Sequence, residues 1–356
     1  MTDSASRSAR LHSPASAGAE CQPSVNAVRA TRRNLLLAAP ALIGGGFATR
    51  TARAQEAWPP TVVTFVVPGP AGGTGDVISR AISPMLQQSF GRPAVVDNRP
   101  GANGEVGTRF VTRSKPDGCT VLMGSIGHFA INFALRPSLS YDPVKELAPI
   151  TLAATTPNVL VVNPQAVPVT DLPSLLQWMR NKGERVSYAT SGIGSSDQLT
   201  MELFKQITGT KALHDPYPGG PPALTDLMGG SVDMAFFNLG NVTNHVREGR
   251  LRAVLITSAE RSPLLPAVPT GRELGLTELV VTSWQGVAVP AGVPAPVIAR
   301  LNKDIVAALR DNTVIQRLGD LGFTVVANGP DEFRSFQLAE IERWRSLIER
   351  QGIRAE

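Results

Sequence analysis

Cysteine is almost missing from this 356-residue chain. There are two, Cys21 and Cys119. Cys21 precedes an apolar run near the N-terminus, and Cys119 is alone in everything that follows, so no disulfide can form within a processed chain. In Cys119-Thr120-Val121-Leu122-Met123 it reads as a buried structural thiol on a strand. Histidine is scarce as well; beyond residue 54 only His128, His214 and His245 occur. No H-E-x-x-H and no C-x-x-C is present, so zinc chemistry finds no ligands. G-x-S-x-G and G-x-x-x-x-G-K-[ST] are also missing, which removes the nucleophile elbow and the phosphate-binding P-loop. The 33 glycines and 29 prolines follow no fixed period, which excludes a collagen-like repeat and predicts many tight turns.

A surplus of one charge is lacking too, once its position is considered. The formal charge is +5. Residues 1–54 carry seven arginines against Asp3 and Glu20, and so hold the whole excess; the rest is neutral. A nucleic-acid partner is therefore not expected. With 42% hydrophobic and 18% charged residues, the chain can bury a sizeable core.

The first 54 residues read as an export signal. Thr31-Arg32-Arg33-Asn34-Leu35-Leu36-Leu37 opens an apolar run ending near Phe47. A bilayer-spanning helix needs about 20 apolar residues, and this run is shorter. Ala52-Arg53-Ala54 then supplies a cleavage site, with Gln55 as the first mature residue. The pair Arg32-Arg33 fits a twin-arginine signal, and a general secretory signal is the alternative. No second long apolar segment follows, so a soluble periplasmic protein is expected.

Downstream, strand-like and helix-like segments alternate, as in α/β layering. Val62-Val63-Thr64-Phe65-Val66-Val67 is β-branched and continuous, the pattern of a doubly buried strand. Further strands are expected near 94–96, 119–123, 159–162, 186–190, 231–237, 251–257 and 280–289. A helix begins near Asp76 with Val77, Ile78, Ala81, Ile82, Met85 and Leu86 at helical spacing, and Pro84 should kink or split it. Other helices are expected near 105–114, 171–182, 221–229, 294–310 and 331–351.

Three loops rich in Gly, Ser and Thr follow strands and precede helices. They are Gly72-Gly73-Thr74-Gly75-Asp76, Gly124-Ser125-Ile126-Gly127-His128 and Ser191-Gly192-Ile193-Gly194-Ser195-Ser196. In α/β sheets ligands bind at such loops. Glycine allows close backbone approach, and free N–H groups at a helix start favour an anion. A positive φ is expected at Gly73, where a β-branched residue would be excluded. The first loop is not G-x-G-x-x-G, and Asp76 would repel a pyrophosphate, so a dinucleotide is not expected.

Ordered motifs then carry a resemblance. They are Val67-Pro68 through Gly72-Gly73 and Asp76; Val96-Asp97-Asn98-Arg99-Pro100-Gly101-Ala102-Asn103-Gly104; Tyr141-Asp142-Pro143 ahead of Leu147-Ala148-Pro149-Ile150; and Tyr188-Ala189-Thr190-Ser191-Gly192-Ile193-Gly194-Ser195. Pro216-Tyr217-Pro218-Gly219-Gly220-Pro221-Pro222-Ala223, Asp226-Leu227-Met228-Gly229-Gly230-Ser231-Val232-Asp233, Ser258-Ala259-Glu260-Arg261-Ser262-Pro263, Ser283-Trp284-Gln285-Gly286 and Pro290-Ala291-Gly292-Val293-Pro294 follow. Over roughly 58–356 the chain resembles the periplasmic solute-binding receptors of tripartite tricarboxylate transporters, the Bug (Bordetella uptake gene) receptors.

The resemblance implies a non-enzymatic, monomeric, type II-like periplasmic binding protein, α/β, with mixed sheets flanked by helices and a cleft between lobes. Lobe 1 would join 55–157 with 279–356, and lobe 2 would be 158–278. The solute would be a small carboxylate, held by backbone N–H groups, small hydroxyls and water, with no cofactor or metal. The partners would be membrane transporter subunits; a receptor that signals to a sensor without transport is the alternative. Carried over residue by residue, Gly72, Gly73, Thr74 and Asp76 form the carboxylate cradle, Ser125 and His128 a second wall, and Ser191, Gly192, Ser195 and Ser196 the opposite side. Tyr217, Gly219 and Gly220 close the mouth, and Asn238 meets the solute's distal end. Trp284 is assigned to the core. Departures stand out: Gly69 replaces a common aromatic, implying a roomier floor. Phe129 takes the usual histidine place before Ala-Ile-Asn, with His128 one residue earlier. Pro218 replaces a usual cation and Asp215 precedes the motif, which favours a solute with an amine or few negative charges.

Overall fold

The computed structural model describes residues 58–354. The proposed signal lies outside the described residues. The first half of the sheet is built from β1 (Val63–Val67), β2 (Ala94–Asn98) and β3 (Thr120–Ser125), which are mutually parallel in the order β2-β1-β3. Two helices return the chain between them, α1 (Thr74–Phe90) and α2 (Glu105–Thr112). After β3 a single π-turn, Gly127–Ile131, runs into the short α3 (Asn132–Leu135).

β4 (Leu147–Val162) then crosses the whole molecule. Sequence patterning marks only its last four residues, because Pro149 and Pro157 break the run and proline is normally barred from a ladder. Register shifts beside Thr151 and Ala154 absorb the first irregularity. Pro157 stands where the strand changes partners. Residues 147–157 pair with β9 (Thr282–Pro290), and residues 158–162 pair with β7 (Met234–Asn238) and β8 (Arg252–Ile256).

Between β4 and β9 the chain forms α4 (Leu172–Lys182), β5 (Ser187–Thr190), α5 (Ser196–Thr208), β6 (Leu213–Pro216), α6 (Gly220–Gly229) and, after β7, α7 (Leu239–Arg247). Asp171 caps α4 by accepting from Ser174 N–H. β6, β5 and β7 are again mutually parallel. The chain closes with α8 (Ala295–Leu309), α9 (Asn312–Asp320), β10 (Thr324–Val325) and α10 (Pro330–Gln351). The strand path is β2-β1-β3-β9-β4-β7-β5-β6, with β8 and β10 also on β4. The mixed α/β sheet flanked by helices is as expected.

Pro84 neither splits nor ends α1. The lost turn costs about 3 kcal/mol, but Ile78, Ile82 and Leu86 are all fully buried on the opposite face and contribute roughly 1.5–3 kcal/mol each. Pro84 itself is exposed, as is Arg80, whose carbonyl it leaves without a helical donor. Trp284 is fully buried and belongs to the core. Its ring stacks on Phe129 at 5.9 Å, meets Phe333 edge-on, and its Nε1–H donates to Glu340 Oε2 at 2.9 Å. Cys119 lies just before β3, half-buried rather than buried, within reach of the Thr61 hydroxyl.

Candidate functional site

Parallel strands all release their chain on the same side, so the loops after β1, β2 and β3 gather at one place, as do those after β5, β6 and β7. The two groups of loops enclose one cavity of about 600 Å³. That lies within the roughly 300–1,000 Å³ typical of small-ligand sites. Residues 67–70, 72–75 and 100–104 line one side and 191–195 and 216–221 the other, with Ser125, His128, Asn238 and Gln285 also on the wall. The walls touch closely. A Cβ on Gly194 would stand 2.4 Å from Asn132 Oδ1, and one on Gly219 would stand 2.8 Å from Pro70 Cγ.

The starts of α1, α2, α5, α6 and α7 all border the cavity. Each helix start carries N–H groups without an intrahelical acceptor, and each contributes partial positive charge. Not all of these donors face a solute. Gly72 N–H donates to Asp76 Oδ2 at 2.9 Å and Gly73 N–H to Pro70 O at 3.2 Å. The open donors of the first loop are therefore the first-turn amides of α1 that line the cavity, at Thr74 and Gly75. Thr74 Oγ1 accepts from Gln285 Nε2 at 2.8 Å, which leaves the hydroxyl hydrogen free to donate inward. Across the cavity, Pro221 and Pro222 bring no N–H to α6, so its offering is confined to Gly219 and Gly220.

His128 lies on the wall with its ring fixed. Nδ1 accepts from Ser125 N–H at 2.8 Å and lies 3.2 Å from Ser125 Oγ. That places the neutral ring's proton on Nε2. Burial pushes the imidazole pKa down from 6.5 to about 4, so the ring is uncharged at neutral pH. Phe129, in the place where the resemblance expects histidine, points instead into the core against Trp284 and Phe333. His214 sits behind the opposite wall, stacked on Tyr188 at 4.9 Å, with Nε2 2.7 Å from Thr190 Oγ1; burial lowers its pKa to about 4 as well.

Twelve of the fourteen expected site residues line the cavity: Gly72, Gly73, Thr74, Ser125, His128, Ser191, Gly192, Ser195, Tyr217, Gly219, Gly220 and Asn238. Asp76 and Ser196 do not. Asp76 turns back to hold Gly72 N–H and the Arg80 guanidinium at 2.9 Å. Burial works against its carboxylate, but the hydrogen bonds from Arg80 and Gly72 outweigh it and hold the pKa below the usual range. Ser196 donates to Asp197 inside the start of α5. Ser191 reaches the wall, yet both its N–H and its hydroxyl are engaged by Asp197 Oδ2 at 2.9 and 2.5 Å.

The positive φ belongs to Gly72 (+78°), while Gly73 is extended at φ −71°. The reason is the Asp76 bond, which turns the Gly72 peptide inward. Asp215 is also not at the cavity: it lies on β6 opposite Ala189, so of the two departures behind the expected solute with an amine or few negative charges only Pro218 stands on the wall. Gly69 does leave open space, with nothing within 4 Å of an added Cβ.

The sequence reading missed Asn103, Asn132, Arg136, Asn241, Asp197 and Gln285, all of which line the cavity. Asn103, Asn132 and Gln285 stand inside family-like segments, and that was their usable signal. Arg136 and Asn241 have no such signal.

The family model for the tripartite tricarboxylate transporter family receptor matches residues 78–353. Protein BugT of Bordetella pertussis is 37% identical over 298 residues, 83% of this chain and 91% of BugT. A solved R. palustris protein with adipate is 32% identical with a TM-score of 0.80, covering 83% of this chain and 99% of that one. MatC from Rhodopseudomonas palustris with bound malate is 32% identical with a TM-score of 0.78, covering 82% and 100%. The periplasmic binding protein BugD is 30% identical with a TM-score of 0.79, covering 84% and 100%. The chain belongs to the tripartite tricarboxylate transporter receptor family of periplasmic solute-binding proteins.

Proposed function

We propose that this receptor captures a small carboxylated solute in the 600 Å³ cavity and delivers it to the membrane subunits of a tripartite transporter. One observation carries the reading. The open first-turn amides of α1, beside the Thr74 hydroxyl, form a donor cluster at a helix start, which suits a carboxylate. Adipate and malate in two relatives of similar fold support the same solute class. Asp76 and Ser196 act behind this wall, shaping the loops rather than touching the solute.

Residues 55–157 with 279–356 form one lobe and 158–278 the other, closing over the solute about the crossing at Pro157 and the return before β9. The close contacts of Gly194 with Asn132 and of Gly219 with Pro70 are the closed-state seam. Export through the signal in residues 1–54, with cleavage before Gln55, places the receptor in the periplasm as a monomer.

The test begins with protein purified from the periplasm without added ligand. Mass spectrometry of the denatured sample should release one carboxylated compound at one equivalent per chain. Uptake of that compound should fail in a strain lacking the receptor. Finding a bound compound with no acidic group would refute the solute class. Normal uptake without the receptor would refute delivery and favour sensing.

A further inference from the structure

We infer that His214 is a positioning residue for the cavity: from behind the wall, its ring fixes the peptides of Gly192 and Gly194 through Thr190 and Gln198. The inference deepens the proposed solute capture and rests on that reading only for its effect on affinity.

The loop 191–195 needs a hold from behind. Gly192 and Gly194 lie at φ +132° and +78° and bring no side chain to anchor them. They are also where this loop meets the facing wall. A Cβ on Gly192 would stand 2.6 Å from Asn103 Oδ1, and one on Gly194 would stand 2.4 Å from Asn132 Oδ1. Ser191 is held by Asp197, and Ser195 N–H closes the turn onto Gly192 O at 3.2 Å. The other bonds of Gly192 and Gly194 lead to His214.

These bonds run in one direction. Gly194 N–H donates to Gln198 Oε1 at 2.7 Å. That turns the Gln198 amide nitrogen toward His214 Nδ1, 3.4 Å away, so Nδ1 carries no proton. The neutral ring's proton is then on Nε2, 2.7 Å from Thr190 Oγ1. With Nε2–H donating, the Thr190 hydroxyl directs its own hydrogen to Gly192 O at 3.3 Å and accepts from Gly192 N–H at 3.2 Å. Reversing the ring's tautomer would set donor against donor at Gln198. Tyr188 on β5 stacks on the ring, Glu202 and Lys205 on α5 act on it with opposite sign, and Asp215 is its neighbour on β6. Burial outweighs these charges and keeps the ring neutral at pH 7, as the relay requires. None of the bonds involves the facing wall, so solute-free receptor reports on them.

The experiment is ring-nitrogen and amide NMR of solute-free receptor at pH 7, with malate and adipate as calorimetric probes. In the wild type His214 should carry its proton on Nε2, with Nδ1 bare. His214→Phe keeps a ring against Tyr188 and removes both nitrogens. The amide protons of Gly192 and Gly194 should then move upfield, and affinity for whichever probe binds should fall by about fivefold. Gln198→Glu turns the amide donor into an acceptor. Its carboxylate can still hold Gly194 N–H, so that amide should stay near its wild-type position, while His214 takes a second proton at Nδ1. A ring that only fills space would show neither effect. A wild-type proton on Nδ1 would overturn the inference, as would unmoved glycine amides in a folded His214→Phe, or unchanged affinity with those amides displaced. Thermal unfolding checks each variant. If His214→Phe does not fold, Gln198→Glu decides: a doubly protonated His214 beside an unmoved Gly194 amide supports the relay, and a neutral His214 or a displaced amide overturns it. If neither probe binds, the amides decide. A co-purified solute with no acidic group would refute carboxylate capture and leave the relay standing.

Discussion

Gly104→Ala tests the packing of the cavity wall most severely. Gly104 ends the loop that carries Asn103 and sits at φ +83°. A Cβ there would stand 1.9 Å from His128 Nε2, 2.4 Å from Cδ2 and 3.0 Å from Pro68 O. Ordinary contact begins at 3.4 Å, so the ring must retreat by about 1.5 Å if the loop holds. The ring is fixed by Ser125 N–H at 2.8 Å. Breaking that bond leaves a buried donor, at about 1–3 kcal/mol. The left-handed backbone adds about 1–2 kcal/mol for alanine. The expected cost is therefore about 2–5 kcal/mol in urea unfolding, read at unchanged m-value. A double-mutant cycle separates the two terms. In a His128→Ala background the clash is gone, and Gly104→Ala should cost only the backbone term. A cost below 1 kcal/mol, or the same cost in both backgrounds, would refute the clash.

Three further outcomes are expected. Gly72→Val should reduce stability more than Gly73→Val, because only Gly72 has the positive φ, whereas a Cβ on Gly73 meets Pro70 O at a tight but extended 3.1 Å; the reverse order in chemical denaturation would contradict the loop geometry. Acid should destabilise the fold: His128 titrates at 6.5 when unfolded and about 4 when folded, so stability is full above pH 6.5 and falls as pH drops toward 4, by roughly 3 kcal/mol for this group. His214 adds a smaller loss in the same direction because solvent partly screens it, and His128→Gln should flatten the curve; a stability profile that rises between pH 6.5 and 4 would oppose this. Replacing Arg32 and Arg33 with lysine should stop accumulation of the processed chain in the periplasm; normal accumulation would favour general secretion.

The sequence marked β1 and α1 well because a continuous apolar run buries both faces of the strand and a helical stripe buries one face of the helix. It did not mark most of β4, since its prolines break the pattern and only pairing with β7, β8 and β9 makes it one strand. β6, α7 and α9 passed unmarked because they are short and only partly apolar. The site's loops were legible because Gly and Ser between a strand and a helix have few other uses. Which donors stay open was not legible. Gly72, Gly73 and Ser191 have theirs engaged through Asp76, Pro70 and Asp197, and those bonds depend on how each loop folds back on its own helix. Arg136 was invisible for a related reason: it follows directly on the π-turn and the short α3, and no spacing rule signals that so irregular a segment reaches the cavity.

The most direct test of carboxylate capture at the start of α1 is amide NMR of the residue 55–356 chain during titration with its co-purified solute. The amide protons of Thr74 and Gly75 should move downfield together and saturate at one equivalent, while that of Gly72, already bonded to Asp76, should move less. Unshifted α1 amides at saturation, with the largest changes elsewhere on the molecule, would contradict the placement of the carboxylate.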